Sequence, residues 1–198
     1  MTTLCSINTL TKSLADNCLG RKRPGGINGK IYVGQRPSVA TLVIGTNGEI
    51  TGLTLGAGKK LFSFEGKKFE HDNKGSLVVQ EPRNMFKHGG TYKFYPYTAA
   101  ERQALEELYL SERMFTICVT TAGQVIVDGL DINPYNPTDF DDDRGLKPTA
   151  GEFKNDIQFT ENSGATITVE GNFFCLPKIY KPSQTLAANI AELDALCV

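Results

Sequence analysis

The chain has 198 residues, 40% hydrophobic and 22% charged, with twenty glycines, nine prolines and a formal net charge of −1. That suits one domain, or one domain with an arm, burying about two thirds of its unfolded surface. The many turn residues favour β structure without reaching low complexity, and a charge so near zero excludes holding nucleic acid or an anionic membrane by bulk field alone.

No apolar run approaches the ~18 residues of a membrane span. The opening MTTLCSINTLTKSLADNCLG lacks the basic start and apolar core of a secretory signal. The expectation is a protein made in the cytoplasm with no membrane partner. Cys5, Cys18, Cys118, Cys175 and Cys197 are odd in number and fall in no paired framework, so they read as reduced, packed thiols.

Residues 1–28 read as an N-terminal arm that reaches the basic run Arg21, Lys22, Arg23 and turns at Pro24, Gly25 and Gly26. Residues 29–180 form the expected β domain. Within it Ile31 to Val33, Val39 to Ile44 and Ile50 to Leu55 are β-branched strand candidates, and Asn47-Gly48 closes the second and third into a hairpin. Leu61 to Phe64 is a further strand with Phe62 and Phe64 on one face. His71 to Gly75 reads as a polar turn, Leu77 to Val79 as a short strand stopped by Pro82, and Arg83 to Gly90 as loop.

Thr91 to Tyr97 is strand-like. Thr98 and Glu101 then form an S/T-x-x-E capping box, which predicts a helix over about 99–112 whose Ala104, Leu105, Leu108 and Tyr109 make one apolar stripe. Met114 to Val119 and Gln124 to Val127 follow as a hairpin turned at Thr121, Ala122 and Gly123. Asp131 to Gly151, with three prolines and an acidic run, is expected to be a long exposed loop. Ile157 and Phe159 suggest a strand, and Ala165 to Gly171 alternates cleanly, Ala165, Ile167 and Val169 against Thr166, Thr168 and Glu170. In residues 181–198, Ser183 can cap a C-terminal helix carrying Leu186, Ile190, Leu193 and Cys197 on one stripe.

Reactive chemistry is scarce. Gly56-Ala-Gly-Lys-Lys60 fails the phosphate-loop spacing, because Leu53 stands where its first glycine belongs and Lys60 replaces the magnesium-binding hydroxyl. Asp139, Asp141 and Asp143 have calcium-loop spacing, yet Arg144 and Ala150 occupy the glycine and glutamate positions. His71 and His88 lie in polar, turn-like contexts with no zinc spacing to a cysteine. A Cys/His nucleophile would need Cys118 or Cys175 brought to one of them, and packing is preferred. Arg21, Lys22, Arg23, Lys30 and Arg36 around Tyr32 could contact phosphates, and Tyr92, Phe94, Tyr95 and Tyr97 could stack bases. The favoured reading makes the first set a solvated or intersubunit arm and the second core aromatics. No residue is assigned a catalytic, cofactor-binding or metal role, and no enzyme is expected.

The layout from Gly29 to Pro177 resembles the tail-tube-like proteins of tailed bacteriophages, a family that includes secretion-system tube proteins. The residues behind this are the Asn47-Gly48 hairpin, the run FSFEG at Phe62 to Gly66, the helix at 99–112 followed by MFTICVTTAGQVIVDGLD, and the late strand ATITVEGN. The resemblance implies a β-barrel or sandwich flanked by one helix. It implies a non-enzymatic tail tube subunit of the virion, made in the host cytoplasm and forming stacked homo-hexameric rings. Its partners would be itself, other tail proteins and genomic DNA passing through the lumen without sequence-specific binding. The arm and the C-terminal helix leave open a neck-ring, tail-terminator or baseplate role. A single-stranded nucleic-acid-binding β-barrel and a small enzyme of another type are the remaining alternatives.

Overall fold

The structure, a computed structural model, describes residues 26–66, 70–79, 85–96, 98–130, 144–154 and 164–197. The basic run Arg21 to Arg23, the acidic run Asp139 to Asp143, Tyr97 and the strand suggested at Ile157 and Phe159 lie outside those residues. The strands are β1 Ile27–Gln35, β2 Val39–Ile44, β3 Ile50–Leu55, β4 Phe62–Glu65, β5 Asp72–Val78 and β6 Met85–Phe94. They continue with β7 Met114–Thr120, β8 Val125–Asp128, β9 Lys147–Lys154, β10 Gly164–Phe173 and β11 Lys178–Ile179. The helices are α1 Ala99–Leu110 and α2 Leu186–Ala195.

All paired strands are antiparallel, in three sheets: a five-stranded sheet ordered β11-β8-β7-β1-β4, a four-stranded sheet ordered β5-β6-β10-β9, and the hairpin β2-β3. The five-stranded sheet is the middle layer. One face carries Ile31, Val33, Met114 and Cys118 and packs on Tyr92, Phe94, Ala165, Ile167, Val169 and Phe173 of the four-stranded sheet, with Leu105 and Leu108 of α1. Its other face carries Tyr32, Phe115, Ile117, Val125 and Val127 and packs on Leu42, Ile50 and Leu53 of the hairpin and on Leu193 of α2. Coverage on both sides explains why Met114 to Val119 is buried at every residue, as a strand covered on both faces should be.

Local sequence builds these layers. Thr98 Oγ1 accepts from the Glu101 N–H at 3.2 Å while the Glu101 carboxylate accepts from the Thr98 N–H at 3.0 Å, so the capping box starts α1 as expected. Gly48 closes the β2-β3 turn at φ +83°, a left-handed conformation that glycine adopts without steric cost. The β10 alternation holds: Ala165, Ile167 and Val169 are buried while Thr166, Thr168 and Glu170 face outward. α2 presents Leu186, Ile190 and Leu193 to the second core, joined by Cys197 just past its end, and its Asp194 accepts from Lys30 Nζ at 2.6 Å and Tyr32 Oη at 2.8 Å.

Several expectations are corrected. The sheets do not close into a barrel; the five- and four-stranded sheets stack face to face, and among the described residues each of their outer strands has one unpaired edge. His71 to Gly75 is not a turn and Arg83 to Gly90 is not wholly loop, because Asp72–Val78 and Met85–Phe94 pair along their lengths. Polar and glycine-rich segments have weak intrinsic strand preference, and here cross-strand pairing overrides it. A side chain at Gly89 would strike the Val169 carbonyl and one at Gly90 the Asp72 carbonyl, so both glycines serve close approach. The end of the expected 131–151 loop is strand from Lys147. α1 ends at Leu110 rather than 112, where Ser111 is extended and donates its N–H to Leu108 O at 3.3 Å. Thr185, not Ser183, caps α2, accepting from the Ala188 N–H at 3.4 Å. β1 opens at Ile27, inside the stretch assigned to the arm.

Candidate functional site

The four-stranded sheet turns one face to the core, and among the described residues no layer covers the other. Strand register fixes what that outer face carries: Thr166, Thr168, Glu170 and Asn172 from β10 stand opposite Lys93, Thr91, Gly89 and Lys87 of β6. Asp72, Lys74 and Ser76 of β5 extend it on one side, and Lys147, Ala150, Glu152 and Lys154 of β9 on the other. Every side chain in this set except Ala150 is polar. Its cations are largely tied down: Lys74 pairs with Asp72 at 2.6 Å, Lys87 with Glu170 at 2.7 Å and Lys154 with Glu152 at 3.4 Å. Lys93 Nζ lies 5.4 Å from the centre of the Tyr95 ring, and Thr91 and Thr168 share a hydroxyl hydrogen bond of 3.2 Å.

β5 and β9 are the outermost strands of this sheet. Each strand is antiparallel to the next, so with four strands the two outer ones run in opposite directions. Exposed apolar side chains sit along both, Leu77 and Val79 at β5 and Phe153 on β9. Pro148 and a register shift between Thr168 and Val169 interrupt the start of β9, a common way to blunt an edge; the rest of β9 keeps an uninterrupted ladder to β10.

Behind this face, between the two large sheets, lies a buried polar cluster. Asn73 of β5 donates its side-chain amide to Asp128 Oδ2 of β8. His88 of β6, fully buried, donates from Nε2 to the Cys175 carbonyl at 2.6 Å and accepts at Nδ1 from the Gly129 N–H at 3.4 Å. Both ring nitrogens are thereby used by the neutral form, and burial pushes the imidazole down to about 4, against the bond to Cys175. Asp128 is fully buried, and its Oδ1, 3.9 Å from His88 Nδ1, has no hydrogen-bond partner among the described residues. Burial pushes its carboxyl up to about 7, against the Asn73 hydrogen bond. The 3.9 Å approach is therefore not an ion pair: each group is driven toward its neutral form. Tyr92 Oη lies 3.1 Å from Thr116 Oγ1 and 3.7 Å from Cys118 Sγ.

The residues flagged in the sequence do not converge. Tyr92 and Phe94 are core aromatics. Tyr32 and Arg36 are fully buried and Lys30 is ion-paired with Asp194, so they form no exposed phosphate-binding patch. His71, just before β5, and His88, within β6, are both buried and neither lies in a turn. His88 does meet Cys175, but through the cysteine's carbonyl; the thiol lies 3.9 Å from Leu130 O. Burial pushes the Cys118 thiol up to about 12, which leaves no thiolate near neutrality. No group of three or more His, Cys, Asp or Glu side chains among the described residues could hold a metal ion. An open groove of about 520 Å³ runs between β4 and α1, lined by Phe62, Phe64, Phe94, Tyr95 and Leu105. Sequence reading missed the Asp128 cluster, although a carboxylate ending the apolar run Val125 to Val127 was a signal.

No family model, curated protein or solved structure matches the chain.

Proposed function

We propose that the chain is a structural virion protein of a tailed phage, a tail-tube-type subunit forming stacked homo-hexameric rings that conduct DNA. The observation that carries this reading is the four-stranded antiparallel sheet, with one polar face and, among the described residues, two unpaired edges of opposite direction. In a head-to-tail ring every subunit keeps its orientation about the axis, so β5 of one copy meets β9 of the next running the opposite way. The antiparallel ladder can continue across each contact, and a closed ring removes the edges that would otherwise invite aggregation. The outer face would then line the lumen. Lysines already held by Asp72, Glu170 and Glu152 would release fewer counterions to passing phosphates, so DNA would slide instead of sticking. Phage assignment and hexameric order rest on the layout resemblance of Gly29 to Pro177; other tail proteins would be the further partners.

Electron microscopy of the purified protein across a concentration series is the test. Rings that stack into tubes are expected; single rings that never stack would point to a neck, terminator or baseplate component. A strictly monomeric particle at every concentration, confirmed by sedimentation, would overturn the reading.

A further inference from the structure

We propose that β5 of one copy and β9 of the next join in a single register, with Asp72 opposite Lys154 and Lys74 opposite Glu152. This register rests on the head-to-tail contact between copies and deepens it to named pairs. On the outer face each edge carries an acid and then a base two residues on, Asp72 with Lys74 on β5 and Glu152 with Lys154 on β9, paired along their own strands at 2.6 Å and 3.4 Å. All four side chains stay more than half exposed, from 51% to 75%, and so remain open to a partner. Antiparallel pairing reverses one strand against the other, so each acid meets the base of the other copy and the four charges alternate around a square. Sliding the register by two residues sets Asp72 opposite Glu152 one way or Lys74 opposite Lys154 the other, and like charges directly opposed are destabilising. Sliding it by one turns the outer face of one strand against the inner face of its neighbour.

The backbone fits the same register. Half a turn about the sheet normal carries one free edge onto the other, so outward-facing residues present their N–H and C=O in the same sense at both, and opposed outer residues match donor to acceptor. Pro148 and the register shift beside it fall outside 150–154, which leaves 72–76 an uninterrupted partner. On the inner face Gly75 stands opposite Gly151, so the Tyr109 ring that covers Gly151 meets no side chain from the strand beside it.

Sedimentation velocity over a dilution series in low-salt buffer, where exposed charges are least screened, tests this. Lys74→Glu and Glu152→Lys each oppose like charges at every contact and should raise the concentration of half-association about tenfold. An equal mixture of the two variants restores opposite charges at every contact of an alternating assembly, and should return that concentration toward the unmodified value. Circular dichroism checks that each variant is folded; should one not be, Asp72→Lys and Lys154→Glu pose the same question from the other pair. Association that neither single change weakens, or that the mixture does not recover, overturns the register and leaves ring assembly standing. An unmodified chain that stays monomeric overturns the ring reading, and the register falls with it.

Discussion

Tyr109 on α1 donates its hydroxyl hydrogen to the backbone carbonyl of Thr166 on β10 at 2.9 Å, tying the helix to the four-stranded sheet beside its free edge. Its ring occupies the space above Gly151, where any side chain would collide with it. Tyr109→Phe keeps the ring and loses the hydrogen bond, so a loss of about 1 kcal/mol is expected. Thr98→Ala removes the α1 cap and should also lose about 1 kcal/mol. Urea titration followed by circular dichroism checks both, and no change in either midpoint would mean that α1 is held by Leu105 and Leu108 alone.

The buried pair His88 and Asp128 predicts an unusual pH profile. His88 is lowered to about 4, so its contribution is present above the free imidazole value of about 6.5 and is lost as pH falls toward 4. Asp128 is raised to about 7, so its contribution is present below the free carboxyl value of about 3.9 and is lost as pH rises toward 7. From about pH 4 to 6.5 the two slopes oppose and nearly cancel. Asp128→Asn removes one of them, and the urea midpoint of that variant should fall on acidification more steeply than that of the unmodified chain. Parallel profiles would refute the assignment of neutral states.

Glu170 holds Lys87 at 2.7 Å on the outer face. Glu170→Gln frees that lysine without changing side-chain size, which should add about one phosphate contact and steepen the salt dependence of duplex DNA retention by ~0.9 in log–log slope. Filter binding across a salt series measures it. An unchanged slope would count against a charge-neutralised lumen.

Legibility in the sequence followed the physics of each segment. α1, the Asn47-Gly48 hairpin, the β7-β8 turn and β10 could be read because a capping box, a positive-φ glycine or strict alternation is a local signal. The end of β5 was read at Leu77 and Val78, but Asp72 to Ser76 and the first half of β6 could not be, since Asn73, Gly75, Gly89 and Gly90 owe their extended state to neighbours distant in sequence. The outer face was legible only as the polar half of the β10 alternation; its partners Lys87, Asp72 and Glu152 required the strand order. His88 looked like a turn residue because its burial is a property of the layers packed around it, and for Asp128 the only local sign was its place at the end of the apolar run Val125 to Val127.

The middle layer also sets a timetable. Ile31 of β1 pairs with Cys118 of β7 on one side and with Phe64 of β4 on the other. On the ribosome, β1 and β4 emerge on either side of the β2-β3 hairpin, while β7 follows only after β5, β6 and α1 have been made. β10, which seals the first core, comes later still. Contacts so distant along the chain are slow to form, so the buried centre of this molecule is the last part that synthesis can complete.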